Sequence, residues 1–168
     1  KKKKKLLWSI KRDKNIEDFT VGVIGAGATG SEVKKQLQEF NIPFKMYDPP
    51  KELIKEGFKS VDLHEIMDCD ILTFHVPLTQ GKPDSTFHWL DKDKLTSSSF
   101  ELIINAARGG VIDESALLDA LAIGSVKDVV IDVWENEPDF NTDLAEKAFI
   151  STPHMAGHSV HGKLFFFF

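Results

Sequence analysis

The stretch VGVIGAGATGS, residues 21–31, restricts the possible folds of this chain more than any other. A short apolar run enters three glycines in the spacing G-x-G-x-x-G, Gly25, Gly27 and Gly30. A helical pattern follows, with Val33, Leu37 and Phe40 on one face. Strand, glycine turn and helix in this order form the entrance of a βαβ unit that cradles a pyrophosphate. Gly25 permits the tight turn, Gly27 lets backbone approach the phosphates, and Gly30 lets helix and strand pack closely. Ala28 and Thr29 open the helix, where unpaired N–H groups and the positive dipole end favour an anion. Asp48 lies 23 residues after Gly25, at the end of the next strand pattern. Its carboxylate suits the two hydroxyls of an adenosine ribose and would repel a 2′-phosphate, which favours NAD over NADP, although Lys51 nearby weakens that preference. The plain alternative is a glycine turn followed by a solvated aspartate.

The rest of the chain repeats the alternation. PFKMYD, DILTFHVP, ELIINAA, VKDVVIDVW and FISTP read as strands after TVGVIG. VDLHEIMDC, LDKDKLTSS, DESALLDALAIG and TDLAEKA read as helices after GSEVKKQLQEF. Near-continuous apolar strands separated by helices predict a doubly wound parallel α/β sheet of Rossmann type, with ligands beyond the carboxyl ends of its strands. A length of 168 residues and 42% hydrophobic content favour one domain, taken as residues 15–163. Residues 1–14 read as a connecting segment with an anomalous polylysine start, and 164–168 as an anomalous phenylalanine-rich end. Both ends have the character of tags or scars, and the chain reads as a fragment. The net charge is −5, or about −10 without the five leading lysines, which argues against a nucleic-acid face. The lone Cys69 excludes an internal disulfide, no Cys/His metal pattern exists, and no apolar run approaches a membrane span. A reducing cytoplasm is the expected compartment.

Three further strand ends carry reactive side chains: Arg108 after IINAA, Glu137 in DVWENEP, and His154 in STPHMAG. Taken singly, each has an ordinary reading. An arginine before Gly109 and Gly110 is more often a solvated turn charge, a glutamate before proline a loop acid, and a histidine after proline a packed ring. In a doubly wound sheet, however, these ends converge. Together the three types can oxidise a hydroxy acid: arginine holds a carboxylate bidentately, histidine takes the hydroxyl proton, and a carboxylate behind the ring orients it. His64, His75, His88 and His161 read as surface or packing histidines, and Phe87 and Trp89 as packing. Asp113 is a plausible N-cap for the helix that packs through Ala116, Leu117 and Leu121 and closes at Gly124.

Through VGVIGAGATG, YDPP, DILTFHVPLT, INAARGGVIDESAL, VVIDVWENEP and TPHMAG, the chain resembles the nucleotide-binding domain of the D-isomer-specific 2-hydroxyacid dehydrogenases. The resemblance runs from about residue 19 to 163. It implies that Arg108 binds the substrate carboxylate, His154 serves as acid and base, and Glu137 partners the histidine. It also implies that Asp132 meets the nicotinamide carboxamide, that Val76 and Pro77 line the cofactor cleft, and that backbone near Ala106 and Gly157 touches cofactor. His158 stands where the family pattern has a tyrosine, and would take over a substrate contact. DPP, the long DILTFHVPLTQGKPDSTFHWLD, the tryptophan of DVWENEPDFN and TPHMAGHSVHGK point to a branch acting on a phosphorylated four-carbon acid. Family members carry a second, substrate-binding lobe that is largely absent here, so the chain alone is expected to bind NAD and turn over poorly. The full-length protein is expected to be a homodimer. The alternatives are a related dehydrogenase, for phosphoglycerate or a non-phosphorylated acid, and a non-catalytic NAD-binding module.

Overall fold

A computed structural model describes residues 15–81 and 83–157. His158, His161, the lysine-rich start with the rest of 1–14, and the phenylalanine-rich end lie outside the described residues. Six strands form one parallel sheet: β1 (Val21–Ile24), β2 (Phe44–Tyr47), β3 (Ile71–Phe74), β4 (Phe100–Asn105), β5 (Val126–Ile131) and β6 (Ile150–Ser151). Their order is β2-β1-β3-β4-β5-β6. Val21 of β1 pairs with Phe44 on one side and Ile71 on the other, and Ile24 with Tyr47 and Phe74. The chain therefore steps outward from β1 to β2 and then crosses back to β3. That reversal opens a crevice at the carboxyl ends of β1 and β3, the place where doubly wound sheets take their ligands.

Helices α1 (Ala28–Glu39), α2 (Pro49–Ile54), α3 (Leu63–Met67), α4 (Lys92–Ser97), α5 (Glu114–Ile123) and α6 (Thr142–Lys147) connect the strands. The period-2 alternation of the strands sends their side chains to two cores. Leu72 and Phe74 of β3 join Ile103, Val129, Leu95 of α4 and Leu117 of α5. Ile71 of the same strand joins Val21, Val23 and Met46, against which Val33 and Leu37 of α1 pack. Each such fully buried Leu, Ile or Phe contributes roughly 1.5–3 kcal/mol. The carboxylate of Asp113 caps α5 by accepting from Ala116 N at 2.9 Å, and Gly124 ends it at φ +82°.

The differences from expectation have local causes. α2 was not among the expected helices, and it begins with the two prolines after Asp48. They occupy the first helical positions, where no N–H is needed, and the Asp48 side chain caps the helix through Lys51 N. Phe40, expected on the packing face of α1, is 69% exposed because the helix ends at Glu39. β4 stops at Asn105, whose side chain turns Ala106 and Ala107 out of the sheet. β5 stops at Ile131, where Asp132 is diverted to a loop described below.

Candidate active site

Loops after β1, β3, β4, β5 and β6 gather along one edge of the sheet. The first two, with Asp48 at the end of β2, make a cleft of about 540 Å3, lined also by Gly25, Gly27, Val76, Pro77 and Trp89 among others. Gly25 is at φ +95°, and a Cβ there would lie 2.4 Å from His75 O. A Cβ on Gly30 would lie 1.9 Å from Gly25 O. Both positions are therefore closed to any side chain. Gly27 is the opposite case, since a Cβ there would meet nothing within 4 Å. The exposed first turn of α1, beginning with Ala28 and Thr29, has no acidic residue and no side-chain cap. Its leading amides have no partner within the helix. Open space, free amides and the positive helix end fit a dinucleotide pyrophosphate.

Asp48 does more than line this cleft. Oδ2 accepts from Ala26 N at 2.7 Å and Oδ1 from Lys51 N at 3.1 Å, so one carboxylate ties the glycine loop to α2. Each oxygen keeps a lone pair for a ribose hydroxyl. The Lys51 ammonium is occupied by Ala26 O and the face of Phe58. His75 forms the wall beneath, bonded through Nε2 to Thr73 Oγ1 at 3.0 Å, and burial lowers its pKa. Trp89 packs on Tyr47 and Phe74, as read, while also facing the cleft.

The other three loops bring chemistry together. His154 Nδ1 and Glu137 Oε2 are 2.8 Å apart. Glu137 Oε1 accepts from Trp134 N at 2.8 Å. Partial burial pushes the Glu137 carboxyl up, but the bonds from His154 and Trp134 outweigh it, holding the group below its ordinary range. A carboxylate in that state only accepts, so Nδ1 carries the proton of this bond, and in the neutral ring Nε2 is the nitrogen with the lone pair.

His154 sits in the left-handed region, at φ +51°, which costs a non-glycine residue roughly 1–3 kcal/mol. The buried Asp132 holds it there. Its carbonyl accepts from His154 N at 2.6 Å. Its Oδ1 accepts from Thr152 Oγ1 at 2.5 Å and Met155 N at 2.8 Å, and its Oδ2 from Ala156 N at 2.9 Å. Burial raises the Asp132 pKa, and these bonds more than reverse the effect, leaving it lowered. Trp134 fastens the same two loops through its indole N–H to Thr152 O at 2.9 Å. Neither this bond nor the Asp132 cage was legible beforehand, because the partners lie about 20 residues downstream.

Arg108 emerges from a turn closed by the buried Asn105. Its Nδ2 donates to Arg108 O at 3.0 Å, and its Oδ1 accepts from Ala107 N at 3.2 Å. The guanidinium is exposed, with Nη1 donating to Ala107 O at 2.6 Å and no acid partner among the described residues. A Cβ on Gly109 would fall 2.0 Å from Trp134 C and O, so this turn lies directly on the loop carrying Glu137. Ala106 and Gly157 are exposed at the same edge. No three-residue metal cluster occurs among the described residues.

Comparison with known proteins identifies the family of this fold. The family described as D-isomer specific 2-hydroxyacid dehydrogenase, NAD binding domain, matches residues 2–156. A relative named erythronate-4-phosphate dehydrogenase, from Bacteroides thetaiotaomicron, is 41% identical over 160 residues, covering 94% of this chain and 46% of that protein. The chain thus spans about half the length of the curated relatives it matches. An NAD-dependent formate dehydrogenase from Staphylococcus aureus, solved in complex with NAD, superposes with a TM-score of 0.75 at 28% identity. That match covers 89% of this chain and 45% of the other. An NADPH-dependent glyoxylate/hydroxypyruvate reductase from Sinorhizobium meliloti, in complex with NADP and malonate, gives 0.75 at 27%, covering 89% and 46%. The chain belongs to the D-isomer specific 2-hydroxyacid dehydrogenase family and carries its NAD-binding domain.

Proposed function

We propose that the protein is an NAD-dependent oxidoreductase acting at C2 of a D-2-hydroxy acid, with 4-phospho-D-erythronate as substrate, in pyridoxal phosphate biosynthesis. NAD, when bound, supplies the hydride acceptor. Gly25, Gly27, Gly30, Ala28 and Thr29 would hold its pyrophosphate and Asp48 its adenosine ribose, with Val76 and Pro77 lining the cleft. Backbone at Ala106 and Gly157 adds cofactor contacts, and Asp132 retains an acceptor direction for the nicotinamide amide.

The observation that carries the reading is the Glu137–His154 bond at 2.8 Å, on a loop that touches the turn of an exposed arginine with no acid partner among the described residues. Arg108 receives the substrate carboxylate, for which its planar fork of donors is matched. His154 takes the C2 hydroxyl proton at Nε2, and Glu137 stabilises the imidazolium that forms. In the reductive direction protonated His154 returns the proton. His158 is assigned to the substrate side. The name shared by the curated relatives supports the phosphorylated substrate.

The test is an NAD titration of this chain, with turnover of 4-phosphoerythronate, phosphoglycerate and lactate by the full-length protein. NAD binding is expected in the chain, and turnover of the first acid in the full-length protein. His154→Ala should reduce kcat by about 10²–10⁴-fold with NAD affinity retained. Preference for phosphoglycerate would overturn the substrate assignment, and an active His154→Ala the mechanism. The protein is further expected to be a cytoplasmic homodimer, which fractionation and sedimentation would check.

A further inference from the structure

His88 has no acid at a telling sequence spacing, yet the fold gives it carboxylate neighbours from two other segments. Its Nε2 lies 2.7 Å from Glu135 Oε1 and its Nδ1 3.9 Å from Asp113 Oδ2. Among the described residues it is the only basic side chain within ion-pair distance of either. Its backbone is left-handed, at φ +47°, and its N–H donates to Gly110 O at 2.8 Å. The Phe87 ring stacks on the imidazole at 4.0 Å, and the same ring lies 3.4 Å from where a Cβ of Gly110 would be.

The Arg108 turn is consequently sandwiched. Phe87 and His88 cover Gly110 on one side, and Trp134 and Glu135 press on Gly109 on the other. The His88–Glu135 bond joins the two covers across the turn. Beneath it, the buried Glu114 accepts from Glu135 N at 2.7 Å. Burial, and then the like charges of Glu135 and Glu137, raise the Glu114 pKa, which marks this loop as a place where carboxylates crowd.

We propose that His88 and Glu135 form a clasp, a pair of positioning residues that fixes the Arg108 turn in register with the Glu137–His154 pair. The assignment of a catalytic purpose to that register rests on the dehydrogenase reading above; the clasp itself does not. Without the bond, the two covers can separate, so the carboxylate anchor and the proton-transfer pair lose their mutual spacing. The glycine loop and Asp48 hang from β1 and β2 and are untouched. The expected signature is therefore a fall in kcat/KM for the hydroxy acid with unchanged NAD affinity.

The test uses the full-length protein with His88→Ala, His88→Gln and Glu135→Ala. A glutamine amide can put an N–H close to the Nε2 position without the ring, so it should restore the bond. His88→Ala is expected to lower kcat/KM roughly 10–100-fold, the scale of an ångström-level misplacement. His88→Gln should recover most of the loss, with NAD affinity within about twofold throughout. A second readout needs no turnover: in protein labelled on histidine nitrogen, the low-field proton of the Glu137-bonded His154 ring should shift or broaden in His88→Ala and return in His88→Gln. If His88→Ala does not fold, Glu135→Ala, which removes the acceptor and keeps the backbone bond to Glu114, takes its place. A folded variant lacking the clasp, with wild-type kcat/KM and an unmoved His154 resonance, overturns the proposal. So does a glutamine variant no better than alanine. If the wild type oxidises no 2-hydroxy acid, the functional reading falls, and the His154 resonance still decides the clasp.

Discussion

Replacing Gly109 by alanine probes the coupling between the arginine turn and the acid loop most directly. A Cβ there would stand 2.0 Å from Trp134 C and O and 2.5 Å from Glu135 N, all backbone atoms with no rotamer to escape into. Ordinary contact begins near 3.4 Å, so the two loops must part by about 1.4 Å. Overpacking of this kind costs about 1–3 kcal/mol of stability, which a domain of this size survives. The larger effect falls on chemistry. Moving Arg108 away from Glu137 and His154 by more than an ångström should reduce kcat/KM by about 10²-fold, or about 2.7 kcal/mol of transition-state stabilisation. NAD affinity should fall far less, because the glycine loop and Asp48 follow β1 and β2 and are untouched. Urea unfolding, NAD titration and steady-state kinetics on the same preparations separate the three quantities. A folded Gly109→Ala protein with wild-type kcat/KM would refute the coupling, and a matching loss of NAD affinity would show that the damage is global.

Asp132→Asn should cost about 1.5–3 kcal/mol in urea unfolding at neutral pH, since an amide cannot accept from Thr152, Met155 and Ala156 on both of its atoms. The carboxyls of Asp132 and Glu137 are both held below their ordinary 3.8 and 4.5, so their stabilisation is complete above those values and is lost as pH falls through the depressed ones. Stability measured from about pH 5 down to about pH 2 should accordingly fall less steeply in Asp132→Asn than in the wild type. Asp48→Asn keeps an N-cap for α2 while removing the charge, and should move the NAD to NADP affinity ratio about tenfold toward NADP, about 1.4 kcal/mol; an unchanged ratio would remove Asp48 from cofactor discrimination. Burial pushes the Cys69 thiol to about 11, so alkylation at pH 8 should wait on unfolding, and rapid labelling of the native chain would contradict that burial.

What could be read from the sequence was whatever has a local signature. The glycine loop, the apolar strand runs, the Asp113 cap and Gly124 each state their conformation within a few residues. Arg108, Glu137 and His154 could be singled out as candidates because strand ends in this fold converge. His88 looked ordinary because its partners at positions 113 and 135 approach only once the sheet has formed. Asp132 was read as a cofactor contact, and its role as the cage of the His154 loop could not be seen, since two of its donors are backbone amides whose direction no residue type encodes. The α2 helix was not among the expected elements, and it begins on prolines that form a first turn when an aspartate precedes them.

The order β2-β1-β3-β4-β5-β6 divides the carboxyl edge into two territories. The glycine loop, Asp48 and the Val76–Pro77 segment hang from the first three strands, and the loops bearing Arg108, Glu137 and His154 from the last three. Substitutions in separate territories should combine additively in free energy, as those at distant sites do. A lineage could therefore alter its preference at the adenosine ribose, or exchange one acid for another, by independent steps, and a laboratory could recombine the two outcomes without re-optimising either.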